Sequence, residues 1–239
     1  YDPAHRLTDI EDNGGNHIHY TLDALGNRTQ EQVYDPQSVL RKSQGQVFDA
    51  LGRLKEIHGA NSQVSVYDYD DNGNRTAETL AGQFSSLNQF DALNRLTEVS
   101  DPNSGETVYQ YNALNQLTAV IDPRLLTTSY SYNALGDLQQ LSSPDTGITA
   151  YTYDSAGNRA SQTDARSITV SYAYDALNRL VSVDYPGTTE DISYLYDGTN
   201  YSSTTPYAIG RLTGITDPAG VVTYLYDARG NLIEDRRVI

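Results

Sequence analysis

The 239-residue chain has no cysteine, no methionine and no apolar run long enough to span a bilayer. Without cysteine there are no disulfides and no thiolate metal sites, which is compatible with an oxidising compartment but does not require one. Basic residues are scarce: 16 Lys and Arg stand against 31 Asp and Glu, giving a net charge of -15 and a pI near 4.4. Nucleic acid and anionic membranes are polyanions, so this balance opposes both as partners, and no basic cluster offsets it. No signal peptide is visible. With no initiating Met, and Tyr1 already inside a Tyr-Asp pair, the chain reads as a fragment or a processed product. Hydrophobic residues make up only 38%. That scarcity would suit disorder, except that aromatic and β-branched residues return at fixed places.

What the chain does have is tyrosine, 20 of them. Much of it sits in one recurring phrase, an aromatic residue followed by Asp or Asn. The aromatic falls at Phe48, Tyr69, Phe90, Tyr111, Tyr132, Tyr153 and Tyr174, six successive steps of 21 residues. Leu22 holds the same place upstream, and Tyr196 and Tyr226 carry it downstream after steps of 22 and 30. So short a period indicates a quasi-one-dimensional repeat architecture rather than a domain folded once. No linker interrupts it, so residues 1–239 read as one domain. Its parts are an irregular start or cap at 1–21, regular repeats at 22–197, an inserted loop at 198–209 and final repeats at 210–239.

Four places after the marker stand Gly26, Gly52, Gly73, Asn94, Asn115, Gly136, Gly157, Asn178 and Gly230. Gly and Asn are the residues that tolerate positive φ, as a three-residue hairpin loop closed by a bulge requires. One place after the marker stand Asp23, Asp49, Asp70, Asp91, Asn112, Asn133, Asp154, Asp175 and Asp227. At the head of a type I turn such a side chain accepts the turn's own N–H groups, which makes these residues structural rather than catalytic.

Tyrosines two apart, such as Tyr151 and Tyr153, share one face of a strand. Stacked hairpins would set Tyr69, Tyr111, Tyr132, Tyr153, Tyr174, Tyr196 and Tyr226 in an aromatic ladder, and interior packing is favoured over a carbohydrate-stacking surface. The return strand follows, as in Arg179-Leu180-Val181-Ser182-Val183, and then a wider turn often marked by Pro, as at Asp101-Pro102 and Asp122-Pro123. The expected fold is all-β: tandem two-stranded β-hairpins of about 21 residues, stacked in a spiral or open arc.

The insertion from Gly198 to Ile209 is rich in Ser, Thr and Tyr. Tyr201 and Tyr207 within it are the candidates for contact with a partner, since insertions in repeat proteins leave as surface loops. Asp68, Asp70, Asn72 and Gly73 have the opening spacing of a calcium loop, but Thr79 stands where the bidentate Glu belongs. His17 and His19 could share a strand face, with no third metal ligand identifiable. There is no nucleophile elbow, phosphate loop or zinc-protease motif, and no reason to single out a carboxylate pair. No catalytic residue, metal or cofactor is assigned.

Phrases such as Tyr174-Asp175-Ala176-Leu177-Asn178-Arg179-Leu180 and Tyr153-Asp154-Ser155-Ala156-Gly157-Asn158-Arg159 recur in register and resemble the Tyr-Asp (YD) or Rhs repeat from about Leu22 to Asn231. That family occurs in bacterial secreted or surface polyproteins, toxin-complex subunits and animal teneurins. The resemblance implies hairpins wound in a spiral that in full-length members closes into a hollow shell, commonly around a C-terminal toxin in bacterial members. Ten repeats are too few to close, and nothing after Asn231 matches the self-cleaving core segment, so an arc is expected. It further implies a non-catalytic scaffold, extracytoplasmic, with neighbouring repeats or a toxin domain of a larger parent as partners. A carbohydrate-binding or cell-surface recognition module, with glycans as ligands, is the alternative.

Overall fold

A computed structural model describes residues 1–81, 85–187, 189–198 and 207–239. These are all-β, apart from a single-turn 3-10 element at Ala60–Ser62. No helix among them is long and apolar enough to cross a membrane. They form two compact units, Tyr1–Gln110 with Val120–Leu126, and Tyr111–Ala119 with Thr127–Ile239.

The first unit opens with β1 (Asp9–Glu11), β2 (His17–Leu22), β3 (Arg28–Tyr34), β4 (Leu40–Phe48) and β5 (Leu54–His58). It continues with β6 (Val64–Tyr69), β7 (Arg75–Thr79), β8 (Ser85–Phe90) and β9 (Leu96–Ser100), and β9 pairs with β10 (Glu106–Tyr111). β11 (Leu117–Ile121) follows. The second unit runs through β12 (Thr127–Tyr132), β13 (Leu138–Ser143), β14 (Gly147–Tyr153), β15 (Arg159–Thr163) and β16 (Thr169–Tyr174). It ends with β17 (Leu180–Asp184), β18 (Ile192–Tyr196), β19 (Leu212–Asp217), β20 (Gly220–Tyr226) and β21 (Leu232–Val238). From β1 to β10 and from β12 to β21, each strand pairs antiparallel with the next in sequence.

One local device closes most of these hairpins. In the turn after β14, Asp154 N–H donates to the Asn158 carbonyl at 2.9 Å and Gly157 N–H to the Asp154 carbonyl at 3.1 Å. The register slips by one residue at Thr152/Tyr153 to accommodate the loop. φ lies between 60° and 95° at Gly26, Gly52, Gly73, Asn94, Asn115, Gly136, Gly157, Asn178 and Gly230.

Four of the turns at the opposite strand ends are no wider, whereas the connection from Asp184 to Ile192, which carries Pro186, is longer. Asp35, Asp101, Asp122 and Asp164 head the same five-residue loop, with the same two backbone bonds. Its left-handed position is held by Ser38, Ser104, Leu125 and Ser167, at φ 59° to 67°. The Asp side chain compensates for the poorer residue: in the Leu125 turn, Asp122 Oδ1 accepts Arg124 N–H at 2.8 Å and Leu126 N–H at 2.9 Å. Proline at the second place (Pro36, Pro102, Pro123) pre-sets the φ that a type I turn needs there.

The interior is thin. Among the described residues Tyr20, Tyr67, Ala119, Val183, Ala208 and Thr213 are buried, and no large side chain is completely enclosed. Up-strands alternate: Tyr130 and Tyr132, Tyr151 and Tyr153, and Tyr172 and Tyr174 lie on the half-buried face, while residues between them are exposed. Ladder and turn hydrogen bonds therefore carry a larger share of the cohesion than in a closed core.

Candidate functional site

The chemistry of the fold is concentrated in the repeated turn, whose first and fifth residues have complementary polarity. Asp49 Oδ1 accepts N–H from Leu51 and Arg53, both at 2.9 Å, and its Oδ2 accepts Arg53 Nε at 2.7 Å. Asp154 repeats this with Ala156 N–H, Asn158 N–H and Asn158 Nδ2. Where the turn begins with Asn, the side-chain bond reverses. Asn133 Nδ2 donates to Asp137 Oδ2 at 2.8 Å, and Asn112 Nδ2 donates to Gln116 Oε1 at 2.7 Å. An acidic head takes a donor and an amide head takes an acceptor, so each side-chain pair is matched.

These bonds favour the ionised carboxylate. The Arg53 backbone N–H, then its side chain, hold Asp49 below the usual aspartate range. Asp91 is lowered first by the Arg95 side chain, and Asp154 first by the Asn158 side chain.

The fifth residue also reaches the next hairpin. Arg53 Nη1 donates to the Asp70 carbonyl at 3.1 Å while its guanidinium lies 4.6 Å from the Tyr69 ring centroid. Arg179 binds Asp175 at 2.7 Å, grips both Asp197 oxygens at 3.2 and 2.6 Å, and covers Tyr196 at 4.3 Å. Where the fifth residue is Asn and the next hairpin also has Asn in the left-handed position, the two amides meet: Asn74 to Asn94 at 2.9 Å and Asn158 to Asn178 at 2.8 Å. A third rung comes from the marker tyrosines. The hydroxyls of Tyr69, Tyr132, Tyr153 and Tyr226 donate to the carbonyls of Leu54, Leu117, Leu138 and Leu212, at 2.8 to 2.9 Å. Burial pushes the Tyr132 and Tyr153 phenols up from their ordinary value. Tyr111 ends β10, and Tyr174 ends β16 on its half-buried face.

Of the two candidate contact tyrosines, Tyr201 lies outside the described residues. Tyr207 is 44% exposed, and its carbonyl accepts Arg211 Nη1 at 2.6 Å. Sequence reasoning missed the partner of His17 and His19. β1 pairs with β2 through Asp9↔His19 and Glu11↔His17, and Asp9 Oδ1 contacts His17 Nε2 at 3.0 Å and His19 Nδ1 at 2.7 Å. The His19 bond, then one from Thr8, hold Asp9 well below the usual carboxylate range, with His17 adding to them. His17 stacks on Tyr34 with centroids 5.8 Å apart, beside a concavity of about 510 Å³. Among the described residues, no three His, Cys, Asp or Glu side chains are arranged to hold a metal ion.

Turn-locked hairpins that grip one another through the same few rungs define a β-hairpin repeat protein. The RHS Repeat family model matches residues 1–37, 48–84, 90–124, 132–167, 153–190 and 207–237, and the chain belongs to this family. No curated protein gave a sequence match. Among solved structures, the chain is similar to TcdB2-TccC3 without its hypervariable C-terminal region. The TM-score is 0.67 at 14% identity, over 95% of this chain and 13% of that one. It is also similar to the Tc holotoxin pore of Photorhabdus luminescens, with a TM-score of 0.64 at 15% identity, over 97% of this chain and 16% of that one. At such identities the likeness is one of fold, and the chain spans a small fraction of either structure.

Proposed function

We propose that this chain is a non-catalytic structural scaffold, one repeat domain within the encapsulating shell of a secreted or surface toxin-type protein. The observation that carries this reading is where the polar side chains are used. The carboxylates of the turns are filled by their own loop's N–H groups, and the fifth residues bridge to the next hairpin. Groups held in this way are poor acids, bases or nucleophiles, because their lone pairs and protons are already engaged. Likeness in fold to toxin-complex structures supports the shell assignment. Its partners would be adjoining repeats and an enclosed toxin segment.

The test is protease protection in the polypeptide that naturally carries these residues. A shell role predicts that a toxin segment resists digestion in the native protein and becomes sensitive when Arg53→Met and Arg179→Met remove two rungs. Equal sensitivity in both proteins would sink the shell role. Exposure of Tyr207 favours a second reading, glycan recognition at the inserted loop. A glycan array repeated with Tyr201→Ala and Tyr207→Ala separates the two: selective binding lost in the double variant supports recognition, and no binding leaves the scaffold.

A further inference from the structure

One joint between hairpins in the second unit is built differently from its counterparts. A Cβ placed on Gly26, Gly52, Gly73, Gly136 or Gly230 would lie within 4 Å of the fifth residue of the preceding turn. Those fifth residues are Arg6, Asn27, Arg53, Gln116 and Arg211. A Cβ placed on Gly157 would meet nothing within 4 Å. The preceding fifth residue there is Asp137, whose short side chain turns back to its own loop, Oδ2 accepting Asn133 Nδ2 at 2.8 Å.

What the longer side chains do elsewhere shows what this joint can hold. The Tyr69 and Tyr226 hydroxyls are fixed on the Leu54 and Leu212 carbonyls. The Arg53 and Arg211 guanidinium groups lie 4.6 and 5.5 Å from the centroids of those rings. Arg53 Nη1 also donates to the Asp70 carbonyl at 3.1 Å, the oxygen that accepts Gly73 N–H. Tyr153 is fixed in the same way on the Leu138 carbonyl, and the Asp154 carbonyl accepts Gly157 N–H at 3.1 Å. The ring and the carbonyl that receive a guanidinium are therefore both in place. Among the described residues no guanidinium covers Tyr153: Arg159 lies instead 4.6 Å from the Tyr172 centroid and 5.9 Å from that of Tyr151. Asp137 Oδ1 accepts no hydrogen bond among the described residues. Burial first, and then the Asp137 charge, push the Tyr153 phenol up, so this carboxylate acts on that ring's hydroxyl.

We propose that Asp137, the Tyr153 ring, the Asp154 carbonyl and the open space at Gly157 form a binding site for a guanidinium group, the arginine side chain of another polypeptide. The ring face attracts the cation, the carbonyl takes one N–H, and the Asp137 carboxylate supplies the opposite charge. In the Arg53 joint the guanidinium comes from within and Asp49 neutralises it. Here the carboxylate stands at the fifth place itself, so the matching cation comes from outside. A planar guanidinium can lie on the ring and donate sideways, whereas a lysine ammonium is a strongly hydrated point charge. The chain's net charge of -15 draws basic segments towards it.

The test is an NMR titration of the full chain at low salt with the peptide acetyl-Gly-Arg-Gly-amide. The control peptide carries citrulline, which keeps the shape of arginine and loses its charge. The expected result is saturable shifts at the Tyr153 ring and the amides of residues 154–157, with citrulline binding at least about fivefold weaker. Asp137→Asn keeps an acceptor for Asn133 but removes the charge, and should weaken the arginine peptide about fivefold. Asn133→Asp combined with Asp137→Arg copies the Asp49 and Arg53 pair, supplying the guanidinium from within. That variant should abolish the titration and raise the urea midpoint. No saturable shift at Tyr153, or equal binding of the citrulline peptide, would overturn the proposal. So would shifts of the same size at Tyr69 and Tyr196, whose rings Arg53 and Arg179 already cover, or binding that survives both Asp137 variants.

Discussion

Asn158 donates its side-chain amide to Asn178 Oδ1 at 2.8 Å, across 20 residues of sequence and one hairpin of structure. Asn74 and Asn94 make the same bond at 2.9 Å. Asn27 holds the equivalent fifth place in its own turn, but the next hairpin offers it Gly52, at φ 76°. A Cβ built on Gly52 would lie 3.9 Å from Asn27 Nδ2, an ordinary contact. Gly52→Asn should therefore add the missing rung and restrict the unfolded chain, raising stability by about 1 kcal/mol. The urea midpoint measures it, and the gain should shrink in an Asn27→Ala background. A midpoint that stays put or falls would refute the rung.

Tyr153→Phe leaves the ring in place and deletes the hydroxyl that donates to the Leu138 carbonyl. The expected loss is about 1 kcal/mol, the net value of one hydrogen bond. Among the described residues no bond is made by the Tyr174 hydroxyl, so Tyr174→Phe is the control and should change the urea midpoint little. Equal effects at both positions would mean that ring packing, not the rung, had been measured.

Leu125 sits at φ 64° with its side chain 82% exposed. Leucine is strained in this conformation and gains little burial there, whereas Asn tolerates it. Leu125→Asn should stabilise by about 1 kcal/mol, read as a higher melting temperature. A lower melting temperature would show that the leucine side chain makes a contribution that its exposure conceals.

Acid should loosen the turns together. The carboxylates of Asp49, Asp70, Asp91, Asp154 and Asp175 are held below their ordinary value in the folded chain. The unfolded state then binds protons first as pH falls past about 3.9, and stability is lost progressively as pH drops through the folded values. The urea midpoint should be level between pH 7 and 5 and fall steeply by pH 3. Asp154→Asn keeps an acceptor for the loop's N–H groups, so it should flatten the acid limb slightly. An equal midpoint at pH 5 and 3 would exclude the linkage.

Much of the fold was legible because identity and spacing carry it. A 21-residue step, Gly or Asn at one place and Asp or Asn at another specify a hairpin with a left-handed residue. The far-end turns were hidden because Ser38, Leu125 and Ser167 do not advertise positive φ; the Asp at the head of each loop was the available signal. The polarity exchange between first and fifth residues was present in Asn133 with Asp137 and Asn112 with Gln116. It is invisible to a search for identical residues, since what is kept is a donor facing an acceptor. Asp9 could be joined to His17 and His19 only through the β1–β2 register, which is set by the same turn pattern at Asp12, Gly15 and Asn16 but without the aromatic residue that marked the others.

The marker turns satisfy their own loops first, and where Arg53, Asn74, Asn158 or Arg179 reaches outward from the fifth place it reaches the next hairpin. Excising or duplicating one whole period, cut at the same point in the phrase, gives a new neighbour with the same backbone layout. The carbonyls and ring faces that Arg and Tyr seek are present in almost any such junction. Gene-level slippage in whole periods would thus alter the length of the body while leaving its joints serviceable, whereas a slip of any other size would tear one.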